Sequence, residues 1–217
     1  MRLYNSLGPN PRVVRMLMVE KGVSIPTVEW DVLTGENRGE AYTSKNPTGQ
    51  TPALELDDGT VIGESVTICE FIDEMYPDVP FVGTDIVERA ISRQWLRRVE
   101  LKIVLYMFDA FRFCEGLHHY EDRVFVIPGA AESLKAAARE GLLWLDGLIE
   151  GRPFIAGEEI RLVDLVLFCC LDYLKDAGQP IPEDAGNIQA WFSRMNARPS
   201  AAASMHPDRA VLGGLCT

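Results

Sequence analysis

Two hydrophobic rhythms divide the chain. As far as residue 76, short strand-like runs alternate with helix-spaced ones. Arg2–Asn5 reads as a short strand, and Pro11–Lys21 as a helix with apolar positions at Val13, Val14, Leu17 and Met18, stopped by Gly22. Thr27–Leu33 alternates like a strand, and the polar stretch Gly35–Lys45 predicts a poorly regular helix. Ala53–Asp57 and Thr60–Ile62 flank Asp58-Gly59, a two-residue hairpin signal, and Ser65–Met75 is a helix stopped by Pro77. The predicted order is β-α-β-α-β-β-α.

Beyond residue 84 the strand signals nearly vanish. Asp85–Phe113, Ala130–Ile149, Leu162–Lys175 and Asn187–Asn196 carry helical periodicity, interrupted by Pro128, Gly151-Arg152-Pro153 and the Gly178–Pro182 loop. Residues 77–84, with two prolines and a glycine, form a natural linker. A mixed α/β half followed by an all-helical half predicts two domains, residues 1–77 and 85–217. The last dozen residues, rich in small and turn-forming types, read as a loose tail.

Composition narrows the function. Hydrophobic residues make up 47% of the 217 and charged residues 24%, ample for a core. A net charge of -11 repels nucleic-acid phosphates and anionic membrane surfaces. The longest apolar stretch, Leu162–Leu174, carries Asp164 and Asp172 and falls short of the ~20 residues that span a bilayer. The chain opens directly on a strand-like run with no signal-peptide pattern, so a cytoplasmic location is expected. The five cysteines, Cys69, Cys114, Cys169, Cys170 and Cys216, show no metal-ligand spacing and read as structural. No metal is expected.

The chemistry concentrates in Asn46-Pro47-Thr48-Gly49-Gln50-Thr51-Pro52-Ala53-Leu54 and in Glu64-Ser65. A proline directly before a strand has no N–H for the ladder. If Thr51–Pro52 is cis, the Thr51 amide and carbonyl face outward and can pair with an extended peptide ligand. Glu64-Ser65 opens the next helix, where free N–H groups bind a carboxylate and Glu64 can accept from an ammonium. Taken alone, Pro52 reads as a turn proline, and Ser65 as an N-cap contributing about 1 kcal/mol.

Three segments together resemble one family. NPTGQTPALELDDGTVIGESVTICEFIDEMYP resembles the glutathione-binding half of glutathione transferases, GRPFIAGEEIRLVDL their R-P-[FY]-x-A-G-D-x-[FI]-T-x-A-D segment, and WFSRMNARPSAAAS their closing run. The resemblance implies a thioredoxin-like α/β N-terminal domain, an all-α C-terminal domain, glutathione as co-substrate and a homodimer. It implies that Thr51, before Pro52, holds the cysteinyl backbone of glutathione. Glu64 and Ser65 would hold the γ-glutamyl end, and Gln50 would lie near the glycyl end. Asp164 is implied as the buried capping acid of the second domain. Arg161 stands where the family has the Thr or Ser of that cap, so the cap must be made differently.

A transferase must also make the thiolate. Lowering a thiol pKa from ~8.5 by about two units takes roughly 2.7 kcal/mol of preferential stabilisation. Relatives that read S-P-N place serine where this chain has Gly8, before Pro9 and Asn10. Asn10, as in the nu-class, theta-like bacterial enzymes, is therefore the first candidate donor, and Ser6 the reserve. Asn10-Pro11 also reads as an N-cap followed by the first helical residue, and the amide can serve both ends.

The electrophile pocket is expected between the domains, where Tyr106, Phe108, Phe111, Phe113 and His118 make one stretch unusually aromatic, although helical spacing also suits a core. Transfer to a hydrophobic electrophile is the leading expectation. Reduction of disulfides or peroxides, thioether cleavage and a non-catalytic ligand-binding role stand beside it.

Overall fold

A computed structural model describes residues 1–214 of the chain; Cys216 lies outside them. The expected order is present. Strand β1 (Arg2–Asn5) leads into helix α1 (Pro9–Lys21), then come β2 (Thr27–Glu29), a 3₁₀ turn at Glu36–Arg38, a short α2 (Glu40–Thr43), β3 (Ala53–Glu55), β4 (Val61–Gly63) and α3 (Ser65–Met75). The four strands form one mixed sheet in the order β2-β1-β3-β4, with β1 parallel to β2 and the other pairs antiparallel. Strand alternation divides the side chains as a period of two requires. Leu3 and Leu54 join the large core beneath α1 and α3, while Tyr4 and Ala53 join a small cluster with Tyr42 on the opposite face.

The hairpin differs from expectation by one residue. Leu56 N donates to the Thr60 carbonyl at 2.8 Å and Gly59 N to the Leu56 carbonyl at 3.1 Å, so Asp57-Asp58-Gly59 is a three-residue loop. Gly59, at φ 87°, takes the left-handed position that such a loop needs.

The second domain is helical: α4 (Ile86–Val99), α5 (Leu105–Phe113), α6 (Leu117–Tyr120), α7 (Ala131–Leu148), α8 (Leu162–Leu174), α9 (Gly186–Asn196) and α10 (Pro199–Ala203). Between α4 and α5 the predicted single helix passes through a π-helical turn at Glu100–Val104. Here α7 comes close: a Cβ on Gly141 would lie 2.3 Å from the Lys102 carbonyl oxygen. Helix α8 is the central post, buried along almost its whole length, and among the described residues no helix is long and apolar enough to cross a membrane.

Asp164, fully buried, makes the cap of α8 without a hydroxyl partner. Its carboxylate accepts from Arg161 N at 2.9 Å, Ile155 N at 3.0 Å and the Trp191 indole at 2.8 Å. A guanidinium has no acceptor, so Arg161 cannot close the reciprocal half of a capping box. It donates instead to the Pro80 carbonyl at 3.0 Å, while Leu162 N donates to the Phe81 carbonyl at 3.0 Å. Asp73 accepts from Phe81 N and Val82 N at 2.8 and 3.0 Å, so the linker is anchored through its buried Phe81–Val82 stretch and is not a free tether.

Helix α1 is shared by both domains. Arg12, 3% exposed, pairs with Asp172 of α8 and donates to the Ala201 carbonyl at 2.9 Å. Arg15 donates to the Ser204 carbonyl at 3.0 Å, to Asn5 Oδ1 at 2.6 Å and to the Ser6 carbonyl at 3.1 Å. The expected loose tail is therefore tied down at least through Arg209, which reaches the Asp172 carbonyl and Asp176. Of the cysteines, Cys69, Cys169 and Cys170 are buried as expected, whereas Cys114 is exposed. Burial pushes the Cys169 thiol up to about 12.

Candidate functional site

One cleft runs between the domains. Its N-terminal wall is the Leu7–Pro11 segment, Val32, Leu33, Asn37, Arg38, Gln50 and Thr51; its C-terminal wall is Phe108, Phe111, Arg112, His119, Tyr120, Arg123, Val124 and Tyr173.

The Thr51–Pro52 bond is cis, and the Thr51 amide and carbonyl have no hydrogen-bond partner among the described residues. The loop before it is rigidly held: Tyr42 Oη and Asn46 Nδ2 donate to the Gln50 carbonyl at 2.6 and 2.7 Å. The register Ala53↔Gly63 brings the Thr51–Pro52 end of β3 beside the Glu64–Ser65 end of β4. Glu64 sits at φ 65°, the one non-glycine residue with positive φ among those described, a conformation costing of order 1–3 kcal/mol. It occupies the cap position of α3, so Ser65 is the first helical residue and not the N-cap. Glu64 and Ser65 lie outside the main cleft lining, at its β3–β4 edge.

The start of α1 also differs from expectation. Gly8, at φ 142°, is the cap, and Pro9, Asn10 and Pro11 are the first three helical residues. Asn10 is therefore one turn-position inside the helix, and its amide does not cap it. Both prolines lack an N–H, so within this trio only Asn10 offers donors, from backbone and side chain, and it faces the cleft. Ser6 does not reach the cleft. It is fully buried, its hydroxyl 2.6 Å from Thr51 Oγ1 and donating to the Leu7 carbonyl at 3.1 Å. Tyr4 is likewise internal, donating to Glu55 and packing edge-on against Trp30 and Tyr42.

Helical phase sorts the aromatic run. Phe108, Phe111 and Arg112 fall on one face of α5 and line the cleft, with Phe111 edge-on to Tyr120 and Tyr173 at 6.1 and 5.9 Å. Tyr106 and Phe113 fall on other faces and are not part of the lining; Tyr106 packs half-buried on the core. His118 is exposed, and its neighbour His119 takes the cleft position. Burial, His118 and Arg123 hold the His119 imidazole below its ordinary value, and its Nε2 has no partner among the described residues. Nothing in the residue pattern singles out His119, Arg38 or Arg123, which two segments distant in the chain deliver to one space. No group of three or more His, Cys, Asp or Glu able to hold a metal occurs among the described residues.

Residues 8–75 match the family described as glutathione S-transferase, N-terminal domain, and residues 127–199 its C-terminal domain. The chain is 27% identical over 195 residues to glutathione S-transferase 2 of Saccharomyces cerevisiae, covering 89% of this chain and 84% of that protein. It is 29% identical over 203 residues to FtsZ-localized protein A of Caulobacter vibrioides, covering 89% and 85%. Its fold superposes on the crystal structure of Gtt2 from Saccharomyces cerevisiae with a TM-score of 0.87 at 28% identity, covering 94% of this chain and 100% of that one.

Proposed function

Because the chain belongs to the glutathione S-transferase superfamily, we propose that it binds glutathione along Thr51 and transfers its sulfur to a hydrophobic electrophile held against the Phe108–Phe111 wall. The observation that carries this reading is the unpaired Thr51 backbone opening into the same cleft as Asn10. A glutathione backbone paired with Thr51 lies beyond the end of β3, Gln50 meets its glycyl end and Glu64 with Ser65 its γ-glutamyl end. The Asn10 amide donates to the sulfur and lowers the cost of ionising it, and the thiolate then attacks the electrophilic carbon. We place this activity in the cytoplasm, where glutathione is kept reduced. A C2 homodimer belongs to the same reading, supported by the exposed Ile86, Val87 and Ile91 on one stretch of α4.

The test is an ultraviolet titration of bound glutathione in the wild type and in Asn10→Ala. The expected result is a thiol pKa below the free value in the wild type that returns toward it in the variant. Glutathione bound with no depression would sink the transferase reading.

One observation favours a second reading, a glutathione-binding module without catalysis. Gly8 carries no hydroxyl where relatives have serine, and the Ser6 hydroxyl is engaged internally. One relative is named for localisation with FtsZ rather than for a reaction. Such a module would bind glutathione and leave its pKa unchanged.

A further inference from the structure

The charge of the cleft opposes the charge of the protein. The chain carries 32 acidic against 21 basic residues, yet every charged residue lining the cleft is an arginine: Arg38, Arg112 and Arg123. Three guanidinium groups converge there with little internal compensation. Burial and then the charges of Arg123 and Arg112 hold the Arg38 guanidinium below its ordinary value, and its Nε is buried without a partner among the described residues. Arg123 donates to the Val32 and Leu33 carbonyls at 2.7 and 3.1 Å, which fixes the group and leaves its charge unneutralised. Asp31 senses that charge, and its Oδ1 accepts from Leu33 N and Thr34 N at 2.9 and 3.2 Å. Arg112 has a partly exposed partner in Asp109 at 3.0 Å and lies 5.8 Å from the centres of both the Phe108 and Tyr120 rings.

The arginines divide between the two walls. Arg38 donates to the Thr48 carbonyl at 3.2 Å, on the Gln50 side, where a carboxylate of glutathione itself would be met. Arg112 and Arg123 stand on the opposite wall, among the aromatic side chains. We propose that the acceptor taken by this cleft carries a carboxylate on an aromatic body, with Arg123, and Arg112 beside it, reading that charge while the rings of Phe108 and Tyr120 flank the body. A fixed planar fork in a partly desolvated cleft is suited to a carboxylate, and such charge-assisted bonds are the strong ones. This substrate class rests on the transferase reading above.

Two chloroarenes separate charge from reactivity: 4-chloro-3,5-dinitrobenzoate and its primary amide share the leaving group and the nitro activation. In both, the glutathione sulfur forms the new S–C bond, chloride leaves with the C–Cl electron pair and the thiol proton passes to solvent. Corrected for the uncatalysed rate, wild-type kcat/KM should favour the carboxylate by about tenfold or more. In Arg112→Met/Arg123→Met the ratio should collapse to within about threefold of unity. A wild-type ratio near one, or a preference that survives the double substitution, overturns the proposal. Arg123 also ties the 32–33 segment, so Arg112→Met alone, which removes only a partly exposed pair, serves if the double variant does not fold, and should reduce the preference severalfold. Calorimetric titration of 4-nitrobenzoate and 4-nitrobenzamide into protein saturated with S-methylglutathione tests the same discrimination without turnover. A preference for the benzoate there, with neither chloroarene consumed, means that the transfer reading fails and the anion site stands. Turnover of both chloroarenes without discrimination means the reverse.

Discussion

The Ser6 hydroxyl lies 2.6 Å from the Thr51 hydroxyl, joining the end of β1 to the residue whose backbone opens into the cleft. Ser6 thus supports Thr51 from behind. We predict that Ser6→Ala raises KM for glutathione about two- to tenfold, the loss of one ordinary hydrogen bond. The pKa of bound glutathione should not change; a rise to the free value would return Ser6 to the role of sulfur donor.

Asp164 presents the second prediction. Burial pushes its carboxyl up to about 6, while three N–H donors work in the opposite direction, so at neutral pH it is an ionised acceptor for all three. Asp164→Asn would turn an amide NH₂ toward an existing N–H donor. A loss of about 3 kcal/mol or more is expected, read as a lower urea midpoint. An unchanged midpoint would show that the three donors find other partners.

Glu20 ties α1 to the end of the chain, accepting from Arg198 at 2.6 and 2.7 Å and from Ser200. Burial works to raise its carboxyl, but these donors and the Arg198 charge win and hold it below the ordinary value of 4.5. The folded state therefore favours the ionised form more than the unfolded chain does. That contribution is present above pH 4.5 and disappears as acid protonates the folded group. Glu20→Gln should flatten the fall in urea midpoint between about pH 5 and pH 3. If the acid limb keeps its slope, other carboxylates govern it.

Two glycines of α7 should respond in opposite directions. A Cβ at Gly141 meets the Lys102 carbonyl at 2.3 Å and Ile103 Cγ1 at 2.9 Å, whereas one at Gly147 meets nothing within 4 Å. Gly141→Ala should cost about 1–3 kcal/mol through overpacking. Gly147→Ala should be neutral or stabilising by up to about 1 kcal/mol through helix propensity. Thermal melts of the two variants side by side check the pair.

What could be read from the residues was mostly local. Gly22 marked the end of α1, Pro77 the end of α3, and Thr51–Pro52 the special bond before β3, because each acts through its own backbone geometry. The features missed depend on partners distant in sequence. The π turn at Glu100–Val104 faces Gly141 across the bundle, and the helix periodicity of 85–113 carries no trace of it. Asn10-Pro11 reads as a cap followed by the first helical residue, but α1 starts at Pro9, and the earlier start places Asn10 inside the helix. Arg38, Arg112 and Arg123 are unremarkable in the chain and become a group only when 32–38, α5 and the loop after α6 meet.

Arg15 joins the Ser6 carbonyl, at the mouth of the loop that begins α1, to the Ser204 carbonyl. During synthesis from the ribosome, the loop and Arg15 are made long before Ser204, which holds the same guanidinium from the second domain. The nascent N-terminal half therefore emerges with Arg15 tied only to Asn5 and Ser6, and a chain terminated after α9 would carry that loop without its brace from the second domain.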